Sequence, residues 1–328
     1  PAEDAASLKP VHVVFSSDMS DEGVGLLTSL VSLVRHLEYP QDCHVHIILP
    51  RHIMDKAAAL LDCFRHELAD IPVLPKVEIH ELRPYVNMEE LDAYDIFGRP
   101  YRRRLVNPQT FARLHLSDYL PNVSRALYLD HDVLLRTSIE PLYRMRMKHA
   151  IAAVPEWCCS PVMRRPWCTA SHYNLQKGAR DALDSRGLRL DASALTFNSG
   201  IMLIDLDQWR QNGLANITAE WVKLSKGYDG DQSALNIIFN GERGVDLLDW
   251  RWNVQFHLYH TKYQMPVPQA CVNQAHIMHF SGSRKPWFND LPQDVLRGSV
   301  FSGRVLNVLN LNGGARRCGP LQATQEKD

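Results

Sequence analysis

Arg125-Ala-Leu-Tyr-Leu-Asp-His-Asp-Val-Leu-Leu135 is an apolar run that ends in two carboxylates. Ala126 to Leu129 read as a buried strand about to leave its sheet. The strand delivers Asp130 and Asp132 with His131 between them. On an extended backbone, residues i and i+2 point to the same side. The two acids are therefore placed to converge at the strand's C-terminal end, where open α/β sheets keep their ligands. Two hard oxygen donors at one point suit Mg²⁺ or Mn²⁺, above all when a substrate phosphate completes the shell. The plainer reading is a solvated turn with two ordinary acids, and the stretch alone does not choose.

Upstream, Val11 to Phe15 reads as a first strand and Ser16-Ser-Asp18 as a turn. Ser20 is placed to cap a helix running to Tyr39, with Leu26, Leu27, Leu30, Leu33, Val34 and Leu37 on its apolar side. A second strand over His44–Leu49, a helix over Arg51–Ala69 and a third strand over Val77–Leu82 follow. This β-α-β-α-β alternation predicts a parallel sheet with a nucleotide-binding half at the N-terminus. No G-x-G-x-x-G follows the first strand, which disfavours a dinucleotide fold of the usual kind. Asp18 is placed to meet a base or ribose, with a plain capping acid as the alternative. Residues 84–106 read as loop and carry Arg99-Pro-Tyr-Arg-Arg-Arg104. Such a cluster is ordinarily a solvated face; its functional reading is acceptor or phosphate binding. A helix over Gln109–Leu120 carries Arg113 towards the central strand.

Downstream, a strand at Ala150–Val154 precedes a stretch from Trp157 to Arg189 that is too long for a plain connector and suits an acceptor-side lid. Phe197 to Arg210 reads as strand, turn and helix start, and Asp231 and Gln232 fall near a helix N-terminus. A strand at Val245–Leu248 leads to an aromatic bend at Trp250-Arg-Trp-Asn253. Ala275 to Phe280 is the last strand, emptying into Ser281-Gly-Ser-Arg-Lys-Pro-Trp287. Residues 291–328 are expected to be partly disordered. With no repeat and no linker, one domain is expected over 10–290. Its nucleotide-binding half covers about 10–135 and its acceptor and catalytic half about 136–290.

The composition, 45% apolar and 22% charged, is that of a globular protein with a real core. Lys and Arg number 36 against 37 Asp and Glu, so no basic field exists to hold nucleic acid. No apolar run reaches about 18 residues, so membrane contact is expected only through an anchor or signal removed upstream of Pro1. Seven cysteines without CxxC spacing argue against a zinc knuckle. The sequons Asn122-Val-Ser124 and Asn216-Ile-Thr218 fit a secretory protein, although chance alone supplies such triplets. Oligomeric state is not readable.

Four separated motifs, in order, resemble glycosyltransferase family 8. They are Phe111-Ala-Arg-Leu114 with Leu127-Tyr-Leu-Asp-His-Asp132, Phe197-Asn-Ser-Gly200 through Trp209, Asp231-Gln232, and His279-Phe-Ser-Gly-Ser-Arg-Lys-Pro-Trp287. Each is weak alone, the last is the most specific, and together they cover roughly residues 11–288. The resemblance implies a GT-A fold, an α/β architecture whose Rossmann-like, mixed but mostly parallel sheet is flanked by helices. It implies metal-dependent, retaining transfer from a UDP-sugar, as in lipooligosaccharide galactosyltransferases, glycogenin and galacturonosyltransferase-like proteins. It makes Asp130, Asp132 and His279 the ligands of one Mn²⁺, since imidazole beside carboxylates shifts preference from Mg²⁺, the alternative, towards Mn²⁺. Lys285 then binds the donor pyrophosphate, and Gly282 lets the backbone approach those oxygens. Asp18 and Ser16 match positions that touch uridine; Arg113, Asn198, Asp231 and Gln232 match positions around the donor sugar. His131 departs from the family, which often has a smaller residue there, and is expected to point away from the metal. Taken singly, His279 reads as a strand-end histidine, Lys285 as a surface lysine and Asn198 as a turn former. Trp209, Trp250, Trp252 and Trp287 read as core rather than sugar platforms.

The function implied is transfer of a hexose or related sugar to a glycan, glycoprotein or glycolipid hydroxyl. Gln232 falls where retaining members place the residue beneath the anomeric carbon, but an amide is a poor nucleophile. Same-face attack through an oxocarbenium-like ion pair is therefore favoured, with double displacement on Asp231 as the weaker option. The alternatives are an idle sugar-nucleotide or glycan-binding protein on the same scaffold, and glycogenin-like autoglycosylation. A metal-dependent phosphohydrolase lacks the additional carboxylates of a two-metal site. The expected compartment is the Golgi lumen, as a type II membrane protein without its anchor, with the cytoplasm as the alternative.

Overall fold

The structure, a computed structural model, describes residues 10–21, 23–85, 108–156, 168–171, 177–187, 189–224, 230–240, 244–256, 267–281 and 285–287. The Arg99–Arg104 cluster, Gly282, most of the stretch from Trp157 to Arg189 and the tail over 291–328 lie outside the described residues.

Strands β1 (Val11–Ser16), β2 (Cys43–Leu49) and β3 (Lys76–Glu81) pair in parallel, connected through α1 (Val24–His36) and α2 (Lys56–Glu67). The first helix starts at Val24, not at Ser20. Gly23 precedes it with φ 77°, a conformation that costs glycine little. Asp21 takes the first amides instead, accepting from Gly23 N at 3.2 Å and Gly25 N at 2.8 Å. Ser20 N–H turns back to Asp18 Oδ1 at 2.9 Å.

The helix expected over 109–120 is broken into α3 (Pro108–Phe111), a 3₁₀ turn over Ala112–His115 and α4 (Leu116–Tyr119). All four residues of the tight turn are buried, Arg113 among them, so no solvent face is left to continue an amphipathic helix. Then come β4 (Arg125–Asp130), β5 (Val133–Leu135), α5 (Glu140–Tyr143), β6 (Ile151–Pro155) and α6 (Lys177–Ser185). The chain continues through β7 (Phe197–Asp205), α7 (Leu206–Gln211), α8 (Leu214–Leu224), α9 (Gln232–Ile238) and β8 (Asp246–Leu247). A 3₁₀ turn over Trp250–Trp252, β9 (Val254–Gln255), α10 (Gln269–Gln274) and β10 (Ile277–His279) complete the described elements.

The main sheet has the order β3-β2-β1-β4-β7-β6-β8 and is parallel except for β7, which runs against β4 and β6. Its two faces are both covered, and β4 shows how. Ala126 and Tyr128 join Val14, Met202, Trp209 and Leu235 on one side, while Leu127 and Leu129 join Phe15, Leu26, Leu30 and Phe64 on the other. A strand buried on both faces reads as an unbroken apolar run, and each leucine in it contributes about 1.5–3 kcal/mol on burial. Between β1 and β4 the strand order reverses, which opens a crevice at their carboxyl ends. Ser16 and Asp130 sit opposite each other at that point.

The last strand does not join the main sheet. It forms a smaller one, β5-β10-β9, in which His279 lies opposite Val133. No helix among the described residues is long and apolar enough to cross a membrane.

Candidate active site

Asp130 ends β4, and Asp132 follows in a turn, not on extended backbone. The turn keeps the two acids side by side, and the pairing of β5 with β10 brings His279 to them. Phe280 N–H donates to the Asp132 carbonyl at 2.9 Å, fastening the end of β10 beside that turn. His279 Nε2 then lies 3.6 Å from Asp130 Oδ2 and 3.3 Å from Asp132 Oδ1. One ligand atom from each of the three side chains falls within 4.8 Å of the others.

Each acid divides its oxygens between this cluster and a cation. Asp130 Oδ1 accepts from Arg113 Nη2 at 3.0 Å, and Asp132 Oδ2 accepts from Lys285 Nζ at 2.5 Å. Burial alone would raise the Asp132 carboxyl. Lys285, more than the nearby imidazole, outweighs it and holds that carboxyl well below the usual carboxylate range. Lys285 also donates to the Phe280 carbonyl at 2.7 Å.

The tautomer of His279 follows from two backbone amides, which can only donate. Gly200 N–H gives to Asn198 Oδ1 at 3.0 Å, and Ser199 N–H gives to Gln232 Oε1 at 3.0 Å. Asn198 Nδ2 must then face Gln232 Oε1, at 3.2 Å, and Asn253 Nδ2 must face Asn198 Oδ1, at 2.9 Å. That leaves Asn253 Oδ1 to accept from His279 Nδ1 at 3.0 Å. Nδ1 therefore carries a proton, and Nε2 is the ring nitrogen turned towards the acids. Among the described residues no hydrogen-bond donor is aligned on the buried Asp132 Oδ1. An imidazole nitrogen and two carboxylate oxygens converging on one point are a donor set that fits a divalent cation.

Gly200 sits beneath the cluster. A Cβ there would lie 2.6 Å from Asp130 Oδ2 and would also meet the His279 ring, so only glycine lets β7 pass this close.

Arg113 is buried on the other flank, with Nε 3.1 Å from Asp231 Oδ2, Nη1 donating to the Ser199 carbonyl at 2.5 Å and Cζ 4.4 Å from the centre of the Tyr128 ring. Burial opposes its charge, but Asp130 and then Asp231 outweigh that and push its pKa up. Gln232 Nε2 continues the network to Glu156 Oε2 at 3.4 Å.

Ser16 and Asp18 lie where β1 ends: Ser16 is buried with no hydrogen-bond partner for its Oγ among the described residues, and Asp18 is half-buried. His131 lies outside the metal-ligand cluster, with Nδ1 3.2 Å from the Ser16 carbonyl, tying the ends of β4 and β1 together. Trp209 lies in the core on one face of the main sheet, Trp250 and Trp252 pack half-buried against the core on the other, and Trp287 Nε1 donates to Asp21 Oδ2 at 2.9 Å. Sequence reasoning missed Asn253, Gly200 as a spacer, and Glu156. Glu156 had a signal, its place directly after a strand; Asn253 had none, because its role is visible only beside His279.

A sequence profile described as Glycosyl transferase family 8 matches residues 24–290. The Arabidopsis thaliana protein "Probable galacturonosyltransferase-like 4" is 24% identical over 282 residues, covering 84% of this chain and 73% of that one. "Glycosyltransferase 8 domain-containing protein 1" of Xenopus tropicalis is 30% identical over 193 residues, covering 56% and 51%. Galactosyltransferase LgtC, solved with donor and acceptor sugar analogues, matches with a TM-score of 0.60 at 22% identity over 92% of this chain and 95% of that one. Mouse xyloside xylosyltransferase 1 matches with a TM-score of 0.53 at 18% identity over 83% and 97%. The fold is the GT-A fold.

Proposed function

The chain belongs to glycosyltransferase family 8, and on that premise we propose that it moves a hexose or related sugar from a UDP-sugar to a hydroxyl of a glycan, glycoprotein or glycolipid, with retention at the anomeric carbon. The observation that carries this reading is the convergence of Asp130, Asp132 and His279 at the carboxyl edge of β4, with Lys285 against it.

Asp130, Asp132 and His279 would hold a divalent ion, Mn²⁺ before Mg²⁺, which when bound would offset charge growing on the departing diphosphate. Lys285 adds fixed positive potential at the same edge. Ser16 and Asp18 meet the uridine, and Gly282 gives the pyrophosphate room at the backbone. Arg113 and Asn198 border the donor sugar and hold the residues that face it. Gln232 Oε1 already accepts from Ser199 N–H and Asn198 Nδ2, so it is a fixed dipole and a weak nucleophile. Asp231 is buried and paired with Arg113, which disfavours double displacement on it. Same-face attack fits better. The bond from the anomeric carbon to the diphosphate breaks, the acceptor oxygen bonds that carbon from the same side, and its proton passes to a β-phosphate oxygen.

The catalytic domain is taken as 10–290, in two halves joined near residue 135, with 291–328 as an extension. A disulfide at Cys271 and exposed asparagines at both sequons support a lumenal, secretory setting.

UDP release across a panel of UDP-sugars with Mn²⁺, first without acceptor and then with glycans, tests the assignment. Release that depends on acceptor and disappears in Asp132→Asn supports it. Donor binding without release in any pairing returns the idle-binder reading, and a mass increase of the protein itself identifies autoglycosylation.

A further inference from the structure

A second group of metal-competent side chains lies away from the crevice, on the β3 side of the main sheet. The register sets His12 beside His44, His46 opposite Glu78, and His80 two residues beyond Glu78, all on one face. His46 Nδ1 is 3.0 Å from His80 Nε2 and 3.9 Å from Glu78 Oε2. One ligand atom from each of these three falls within 4.8 Å of the others. On the opposite side of the His46 ring, Nε2 lies 3.0 Å from His12 Nδ1.

We propose that His46, His80 and Glu78 form a second divalent-metal site, suited to Zn²⁺ and similar borderline ions, that clips edge strand β3 to β2. Nitrogens about 2.0–2.1 Å from a tetrahedral Zn²⁺ stand roughly 3.3 Å apart, so the His46–His80 spacing needs only a few tenths of an ångström of adjustment. The tautomers agree as well. If Nδ1 of His46 binds metal, Nε2 must carry the proton, and His12 Nδ1 is placed to receive it, as partners behind metal-bound histidines do. Two imidazoles and one carboxylate rank Zn²⁺ above Mn²⁺ and Mg²⁺, so this site and the crevice differ in preference. Lys76 Nζ, 3.6 Å from Glu78 Oε2, is the partner that a metal ion would displace. A chain of three hydrogen-bonded neutral histidines has the same short contacts but no affinity for metal.

The test uses untagged, metal-stripped protein titrated with Zn²⁺ by calorimetry, with thermal melts alongside. Wild type is compared with His80→Ala, Glu78→Gln and Asp132→Asn. The expected result is a Zn²⁺ equivalent, with an accompanying rise in Tm, that persists in Asp132→Asn. Its affinity falls roughly tenfold or more in Glu78→Gln and His80→Ala. Glu78 is exposed, so Glu78→Gln decides the matter alone if His80→Ala does not fold. No Zn²⁺ uptake in the wild type, uptake unchanged in Glu78→Gln, or uptake lost only in Asp132→Asn would overturn the site.

Discussion

Asn253 Oδ1 accepts the Nδ1 proton of His279 at 3.0 Å, and that hydrogen bond decides which imidazole nitrogen faces Asp130 and Asp132. Removing it in Asn253→Ala frees the ring to take the other tautomer. Mn²⁺ affinity is expected to fall about 10–100-fold, read by titration of free Mn²⁺ by electron paramagnetic resonance. Asn253→Asp keeps an acceptor and is expected to retain more affinity than Asn253→Ala. Equal losses in the two variants would mean that packing, not the acceptor, matters.

Arg113 touches Asp130, Asp231 and the Ser199 carbonyl with one rigid fork. In Arg113→Met the buried Asp231 and the partly buried Asp130 lose their cation, at a cost of about 3–5 kcal/mol. Arg113→Lys is expected to recover little, because a point charge cannot reproduce the planar set of donors. Urea unfolding midpoints of the two variants check this; near-wild-type stability in Arg113→Lys would refute it.

Gly200→Ala is expected to destabilise the fold by about 1–3 kcal/mol, since the new methyl overpacks against Asp130 and His279. The same crowding should remove most of the Tm increase expected of the wild type on adding Mn²⁺. A variant that melts early but keeps its full Mn²⁺ response would show that the cluster can shift to admit a methyl.

Burial and the neighbouring imidazoles lower His12 to about 4 and His46 to about 3. Both are neutral when folded, while the unfolded chain takes up their protons near pH 6.5. Between these values the unfolded state binds more protons, so stability is full above about pH 6.5 and declines as pH falls, levelling off below about pH 3. The loss is on the order of 2 kcal/mol per histidine after allowance for partial exposure, and less than additive because the rings are in contact. Denaturation midpoints of metal-free protein from pH 7 to 4 should show this slope, and His12→Gln should flatten it.

The main sheet was legible because its causes are local. The apolar run from Ala126 to Leu129 is buried on both faces. The early alternation of strands and helices leaves parallel pairing as the economical solution. Asp130 and Asp132 were legible as a pair because they follow such a strand. The cap of the first helix was not, because Asp21 and Ser20 are both competent caps and only the left-handed turn at Gly23 gives the amides to Asp21. The broken helix around Arg113 was not legible either, since its cause is burial of a guanidinium against two acids from other elements.

What the residues settle by themselves is the order of elements and the chemical types delivered to the end of β4, because burial and backbone preference act over a few positions. Which atoms of those residues face one another was settled by tertiary structure. Val133 must pair with His279, and two backbone amides on β7 must orient Asn198 and Gln232, before His279 turns Nε2 towards the acids. Those constraints join segments far apart in the chain, and hydrogen-bond direction between them leaves no periodic trace in the sequence.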